Sequence, residues 1–299
     1  MHTAGNCNYS FQQVLAVGFR AYLYCRSMST ARMQQSPIPA LLGRLGARAR
    51  QNLERISNKF RFAFQAAAVM FRLRSLGIGY TWRVILNQLK FTGLHALPFL
   101  TFVSAISSAL IIIQVLNQVS SLGFESILGT VFVAALVREM GPLLTAVVVI
   151  GRSGTAIAAE LSTNRVWEEI TAQETMGIDP MHYVVFPRFV GVTLATMCLV
   201  VYFDVIALVF GYLAARLTTG MTAGTYLQYI IDQFTLADFY VTGLKGFLFG
   251  TIISLMPAFH GLVATGAPTD VPKATTKAVV ECLALVFLVS GIVSLLFYY

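Results

Sequence analysis

Charged side chains are scarce in this sequence. Only 11% of the 299 residues are Asp, Glu, Lys or Arg, whereas soluble domains carry about 25%. Hydrophobic residues make up 57% of the chain, and the mean hydropathy is +0.72. This composition excludes an ordinary water-soluble globule and a disordered chain. It predicts an all-α polytopic membrane protein.

Several chemical signatures are also missing. The four cysteines, at positions 7, 25, 198 and 282, show neither a disulfide framework nor metal-ligand spacing. The sequence contains no phosphate-binding loop, no dinucleotide-binding glycine pattern and no HExxH pair. We therefore expect no cofactor in this chain, and any use of ATP would come from a partner protein.

Acidic residues are almost absent from the first third of the chain. Residues 1–93 contain thirteen Lys and Arg but one acid, Glu54, whereas the remainder has a net charge of −4. A +12 segment could bind nucleic acid or the anionic surface of a membrane. The apolar residues beside it favour the membrane and argue against a nucleic-acid partner.

We divide the chain into three regions. Residues 1–59 form a basic extension, which resembles an organelle transit peptide in composition or is an extension upstream of a later start at Met28 or Met33. Residues 60–93 mix Phe, Leu, Val and Trp with five basic residues, which predicts an amphipathic helix lying in the membrane interface, or alternatively a solvated linker helix. Residues 94–299 form the transmembrane domain.

Five apolar runs in the transmembrane domain are long enough to cross a bilayer. With the amino terminus in the cytoplasm, the two inner loops and their flanks hold five basic residues and the two outer loops hold only Arg216, in agreement with the positive-inside rule. The predicted spans are Leu94 to Leu116, Ile127 to Ile150, Phe186 to Ala215, Val241 to Val263 and Ala278 to Phe297.

Polar residues within these runs are candidates for a substrate cavity. Arg138 and Glu139 fall near the middle of the second run, where charges usually face a bundle interior or a wet cavity. They line a substrate pathway, or they form structural ion pairs with other helices. Asp204 is a weaker candidate that could instead pair with Lys245. Two further candidates, which could also mark only the membrane boundary, are Gln114 and Asn117.

The polar stretch from Glu160 to Pro180 predicts a short amphipathic helix on the cytoplasmic side. Asn164 is placed to cap it, and Gly177 is a stop signal. Such a helix between two spans can dock a soluble partner, or it can pack only on its own bundle. The candidate docking residues are Glu160, Arg165, Trp167, Glu168, Glu169, Ile170 and Met176.

The sequence also allows an enzymatic function as an alternative. Gly151-Arg152-Ser153-Gly154 has the form of the serine turn of intramembrane proteases, and His260 is the histidine available in a later span. A run of four small and polar residues recurs often by chance, which argues against the hydrolase alternative.

A larger set of motifs resembles the MlaE/YrbE family, the permease subunits of ABC transporters that work with MCE (mammalian cell entry) proteins. The resemblance covers roughly residues 80–299. It is carried by Arg138 to Ala146, Gly151 to Gly154, Ala158 to Leu161, Arg165, Glu168, Met176-Gly177, Pro180, Pro187-Arg188, Ala274 to Thr276 and Ala278 to Val280.

The resemblance implies a homodimer with a cytoplasmic ABC ATPase dimer docked on Glu160 to Gly177. It also implies an MCE protein on the opposite side of the membrane, and phospholipid or a related lipid in a cavity that contains Arg138 and Glu139. ATP and Mg²⁺ would be bound by the partner ATPase. The implied location is the bacterial inner membrane, with the plastid inner envelope as an alternative.

Two features depart from the family pattern. Residues 1–59 have no clear counterpart, and Val289-Ser290 stands where members often have Asp. An energy-independent transporter or channel is the alternative function, although the inverted repeats expected of one are not visible in the sequence.

Overall fold

The computed structural model describes residues 57, 61–62, 78–119, 127–264 and 267–298. All of these except Ser57 fall in one compact unit, Asn58–Tyr299. The described part of the chain is helical and contains no strand, which confirms the predicted all-α class. The predictions for residues 1–59 and for most of residues 60–77 lie outside the described residues and stay predictions.

Eight helices, α1–α8, follow one another along the described chain. α3 is continuous but built from five successive segments, two of which are π-helical, and α5 opens with a π-helical turn. The bounds are α1 Ile78–Thr92; α2 Leu97–Val119; α3 Ile127–Val131, Phe132–Met140, Gly141–Val149, Ile150–Gly154 and Thr155–Val166; α4 Glu169–Thr175; α5 Met181–Val185 and Phe186–Thr219; α6 Ala223–Ile231; α7 Leu236–Val263; and α8 Asp270–Tyr298.

Five helical stretches are long and apolar enough to cross a membrane, as predicted. Several of them extend further than the apolar runs indicate, because backbone hydrogen bonds inside a helix continue past the last apolar residue. The candidate spans are Trp82–Asn117, Gly129–Val166, Met181–Thr219, Leu236–Val263 and Asp270–Tyr298.

The first span begins twelve residues before the predicted start at Leu94. A 3₁₀ turn, Leu94–Ala96, joins α1 to α2, and the amide of Gly93 donates to the carbonyl of Leu89 over 2.8 Å, so the helical path continues through the junction. α1 is two-sided. Ile85 is buried against the bundle, whereas Trp82 is exposed. The position of residues 60–93 in the membrane interface stays a prediction, since residues from Trp82 onward belong to the first candidate span.

α7 lies at the centre of the bundle, packed against α3, α5 and α8. Gly246 and Gly250 form a GxxxG pair that faces α5, and such pairs let two helix backbones approach closely. A Cβ atom on Gly250 would lie 2.7 Å from the Cα of Thr193. The backbone of α5 therefore occupies the space that a side chain at this glycine would need.

The loop predicted between the third and fourth spans contains the helix α6, which the sequence analysis did not identify. Thr222 caps it by accepting a hydrogen bond from the amide of Thr225. Tyr226 of α6 is buried and packs edge-on against the ring of Phe132. Burial raises the pKa of the Tyr226 phenol above its ordinary value. An aromatic contact of this kind fixes α6 against α3.

Candidate functional site

Arg138 of α3 forms an ion pair with Asp238, in the first turn of α7. The Nε and Nη2 atoms of Arg138 lie 2.7 Å from Oδ1 and 3.1 Å from Oδ2 of Asp238, which is a two-point contact. Asp238 also accepts hydrogen bonds from the amide and hydroxyl of Thr235 and from the phenol of Tyr298. The fully buried carboxylate is thus surrounded by donors, as a buried charge requires.

Glu139, the next residue of α3, forms a second ion pair with Lys245 of α7. The Nζ atom of Lys245 lies 3.0 Å from Oε1 of Glu139. The hydroxyls of Ser290 and Ser294, both on α8, donate to the same carboxylate. Ser290 and Ser294 therefore both support the charged form of Glu139.

The two ion pairs form one network, which we call the charge network: Arg138, Glu139, Asp238 and Lys245. Asp238 and Lys245 are seven residues apart, so two helical turns bring both to one face of α7. Two cations and two anions give the charge network no net charge. The ring of Tyr298 closes one side, with the guanidinium carbon of Arg138 4.6 Å from its centroid.

Pro142 explains a third contact of Lys245. A proline has no N–H to donate to the carbonyl four residues earlier, which here is the carbonyl of Arg138. Lys245 donates to that carbonyl over 2.6 Å and to the hydroxyl of Ser294 over 2.8 Å. The sequence around Pro142 thus provides a carboxylate, that of Glu139, and a backbone acceptor, that of Arg138. The buried ammonium group of Lys245 binds both.

The charge network lies toward the end of α3 that begins at Ile127, and its predicted depth at the middle of a membrane span stays a prediction. Arg138 is level with the first turn of α7 and with Tyr298, the last residue of α8. It lies about 14 Å from the middle of the long span Gly129–Val166 at 1.5 Å per residue. This offset arises because α3 continues beyond Ile150, where the apolar run ends.

Asp204 does not pair with Lys245, which corrects one alternative from the sequence. Its Oδ1 atom is buried and makes no hydrogen bond within the described residues. It lies against Gly141 of α3, where a Cβ atom would be 2.5 Å away. Because Gly141 follows the charge network on α3 but faces α5, the structure places Asp204 beside the charge network and outside its hydrogen bonds.

Gln114 and Asn117 lie in the last turns of α2, where both are exposed. No described contact brings Gln114 to the charge network. The five predicted cavity residues therefore fall into three groups: the pair in the network, Asp204 beside it, and the two polar residues of α2. Their part in a cavity stays a prediction.

The predicted cytoplasmic loop is shorter than expected, and its helix begins later. α3 runs through Asn164 to Val166, so Asn164 does not cap the short helix as predicted. The turn is made by Glu168, whose left-handed backbone (φ 60°) precedes α4, Glu169–Thr175. Gly177, with φ 79°, ends the segment as the sequence indicated.

The loop exposes two large apolar side chains and buries a third. Trp167 is 74% exposed and Met176 is 69% exposed, whereas Ile170 is 2% exposed. Glu168 and Glu169 are exposed as well. Ile170 therefore anchors α4 to the bundle and leaves an apolar surface with acidic neighbours facing outward.

Two ion pairs fix the geometry around this loop. Arg165 lies 3.8 Å from Glu174 and donates to the hydroxyl of Thr171, which ties the end of α3 to α4. Glu160 lies 2.6 Å from Arg188, which ties α3 to α5. Of the predicted docking residues, Glu160 and Arg165 thus hold the loop in place, and the exposed residues form its outer surface.

The structure gives no support to the hydrolase alternative. The hydroxyl of Ser153 is buried and makes no hydrogen bond within the described residues. His260 instead lies 2.6 Å from Glu281 of α8. A serine nucleophile needs a base within hydrogen-bond distance, so these two residues do not form a catalytic pair.

Sequence reasoning missed the partners of the predicted charges. The pattern of the sequence singled out neither Asp238 nor Tyr298 as a partner of Arg138. One pattern in the sequence could have identified these partners. Asp238 and Lys245 lie two helical turns apart in an otherwise apolar helix, and their charges are opposite to those of Arg138 and Glu139. Ser294 carries no comparable signal, because lone serines are common in membrane helices.

Comparison with known proteins identifies the family. The family described as Permease MlaE matches residues 85–296. A probable ABC transporter permease protein of Rickettsia felis is 34% identical over 215 residues, which are 72% of this chain and 83% of that protein. The protein named TRIGALACTOSYLDIACYLGLYCEROL 1, chloroplastic, of Arabidopsis thaliana is 31% identical over 221 residues, 73% of this chain and 62% of that protein.

A probable ABC transporter permease protein of Synechocystis sp. is 29% identical over 206 residues, which are 69% of this chain and 78% of that protein. The matched region contains the charge network, the loop around α4 and all five candidate spans except the first few residues of the first and the last residues of the fifth. The chain therefore belongs to the MlaE permease family, as a multi-pass membrane permease subunit of an ABC-type transporter.

Proposed function

We propose that this permease moves phospholipid or a related lipid between the membrane and an MCE protein. It would work as a homodimer, powered by a separate cytoplasmic ATPase dimer that binds ATP and Mg²⁺. The name of the Arabidopsis relative contains that of a glycolipid, which supports a lipid substrate. Relatives in Rickettsia and Synechocystis favour the bacterial inner membrane over the plastid inner envelope.

The observation that carries the lipid proposal is the unequal exposure of the charge network. Asp238 and Lys245 are fully buried, whereas the side chains of Arg138 and Glu139 are 26% and 37% exposed. The accessible half of the network is thus one cation and one anion in an otherwise apolar bundle. A guanidinium pairs well with a phosphate, so Arg138 can hold a phosphate head group while apolar walls accept acyl chains.

The exposed surface of the loop around α4 supports the proposal that a separate ATPase binds there and supplies the energy. Trp167 and Met176 form an exposed apolar surface, and the acids beside them would meet basic residues of a partner. Large exposed apolar residues in a polar setting mark protein interaction sites. The anchored position of Ile170 would transmit movement of the partner to α3 and α5, the helices that α4 connects.

The test is lipid transfer by the permease reconstituted in vesicles with its ATPase and MCE partners. R138Q removes the accessible cation but leaves Asp238 with donors from Thr235 and Tyr298, so we expect assembly to survive and ATP-dependent transfer of a fluorescent phospholipid to fall. R216Q is the matched control, because Arg216 is an exposed cation of α5 outside the network.

Two results would contradict the proposal. Transfer by R138Q at the rate of the unmodified protein would remove the head-group role of the charge network. Transfer that continues without ATP or without the ATPase would instead favour the energy-independent transporter. Normal transfer by R216Q together with reduced transfer by R138Q is the outcome that the proposal requires.

A further inference from the structure

Arg152 is the one described basic side chain that is shielded from solvent but has no carboxylate partner. Within residues 78–119, 127–264 and 267–298, every other buried or half-buried basic side chain lies within 4.0 Å of an Asp or Glu oxygen. Shielded charges in membrane helices are normally paired. The exception therefore needs an explanation.

The guanidinium of Arg152 is held in place by an aromatic ring. Its central carbon lies 5.2 Å from the centroid of Phe91, near the end of α1. Its Nη1 atom is buried and makes no hydrogen bond within the described part of the chain. A buried donor without an acceptor costs about 1–3 kcal/mol, so an acceptor from outside the chain would stabilise this arrangement.

The backbone around Arg152 is also unusual. Ile150–Gly154 is the second of the two π-helical segments of α3, and the first contains Arg138 and Glu139 of the charge network. π-Helical turns inside an α-helix occur frequently at functional sites. Arg152 thus shares with the charge network a local geometry that the rest of α3 lacks.

The surroundings of Arg152 are amphiphilic. Lys90, next to Phe91 in the sequence, is exposed and has no carboxylate partner in the described region. Trp82, Leu86 and Leu94 expose apolar side chains on the same helix and the turn after it. A phosphate joined to acyl chains meets both requirements, because the cations take the phosphate and the apolar surface takes the chains.

The position of Arg152 along α3 indicates which leaflet of the membrane the lipid would come from. Arg152 follows Arg138 by fourteen residues, which places it about 20 Å nearer the predicted cytoplasmic end of α3. The junction between α1 and α3 would therefore be reached from the predicted cytoplasmic leaflet, whereas the charge network lies nearer the other end of α3.

We infer that Arg152 binds the phosphate of a phospholipid from the predicted cytoplasmic leaflet, with Phe91 orienting the guanidinium and Lys90 adding a second positive charge. This site is distinct from the charge network. It goes beyond the proposed function, since it can be occupied whatever molecule the transporter carries.

The test uses tryptophan fluorescence and brominated lipids, which quench on contact. The chain has two tryptophans, Trp82 and Trp167, so W82F, W167F and F91W together place one fluorophore against Arg152. The variant is reconstituted in vesicles of digalactosyldiacylglycerol, a carrier without phosphate, that contain brominated phosphatidylglycerol or, in equal amount, brominated diacylglycerol. We expect stronger quenching by phosphatidylglycerol.

Substitutions in the same background assign the effect. R152Q should lower the quenching by phosphatidylglycerol to the level of diacylglycerol, and R152K should retain part of it, because it keeps the charge but not the planar fork. R83Q is the matched control, since it removes an exposed charge from α1 away from Phe91. Circular dichroism and size-exclusion elution verify that each variant is folded.

Three outcomes would overturn the inference. The first is equal quenching by the two brominated lipids, and the second is unchanged quenching in folded R152Q. The third is loss of quenching when inorganic phosphate is added to the aqueous phase, which would assign the site to a free anion. None of these depends on transport, so the inference and the proposed function can fail separately.

Discussion

The ammonium group of Lys245 donates a 2.6 Å hydrogen bond to the backbone carbonyl of Arg138, four residues before Pro142. Without an amide proton, Pro142 cannot satisfy that carbonyl, and in an apolar bundle an unpaired carbonyl is costly. The same ammonium group neutralises Glu139. A backbone defect in α3 and a charge in α3 are therefore corrected by one side chain of α7, which couples the two helices.

We predict that Glu139 and Lys245 are energetically coupled. K245M and E139Q should each lower the stability of the protein in detergent, and the double variant should lose less than the sum, by about 0.5–3 kcal/mol. The reason is that each single change leaves a charge without its partner. Thermal unfolding of the three variants measures the coupling.

The control for this cycle combines K245M with E160Q, which breaks the separate ion pair of Glu160 with Arg188. These two losses should add, because the pairs share no partner. Additive losses for K245M and E139Q would contradict the geometry of the charge network.

Close packing at Gly141 leads to a second prediction. G141A should lower stability by about 1–3 kcal/mol, because its Cβ atom would lie 2.5 Å from Oδ1 of Asp204 and 3.3 Å from the ring of Phe203. D204A should recover part of the loss in the double variant, since it removes the nearer atom.

G151A is the matched control for G141A. It also places alanine in α3, but no atom lies within 4 Å of its Cβ position. We expect G151A to unfold at or above the temperature of the unmodified protein, because alanine favours the helix. A loss in G151A equal to that in G141A would show that the close approach of Asp204 to Gly141 does not cause the effect.

The sequence predicted the number of membrane-spanning helices correctly, but it did not predict the residues at which they begin and end. Apolar runs marked the five spans, but α3 continues to Val166 through a polar segment that the run did not include. Helices are held by their own backbone bonds, so polar residues extend them beyond the bilayer. For the same reason Asn164, which has the residue type of a helix cap, lies inside α3.

Pairing between helices was the part that the sequence did not reveal. Arg138 and Glu139 were evident as charges in an apolar run, yet their partners lie about a hundred residues later, in α7. Asp204 is also an acid in an apolar run, so the sequence allowed it to pair with Lys245 instead. The choice depends on how α5 and α7 are rotated against α3, and one sequence does not encode that rotation in any local pattern.

The left-handed turn before α4 gives a third prediction, with opposite signs at two positions. E168G should raise the unfolding temperature, because Glu168 has φ 60° and a side chain costs about 1–2 kcal/mol there. G177A should lower it, because Gly177 has φ 79°. Thermal unfolding of the permease without its ATPase measures both changes. Shifts of the same sign would contradict the turn geometry.

The exposed surface of the loop gives the last prediction. W167A and M176A remove side chains that are largely exposed, so they should leave the unfolding temperature unchanged but reduce recovery of the ATPase subunit in co-purification. E168K and E169K together should weaken recovery in the same way, through charge. I170A is the contrast, because it truncates a buried anchor. It should cost about 2–5 kcal/mol of stability, and it should affect ATPase recovery only through that loss.

Undiminished recovery with W167A, M176A and the lysine pair would move the docking site away from α4, whereas a stability loss in W167A as large as that in I170A would show that Trp167 packs on its own bundle.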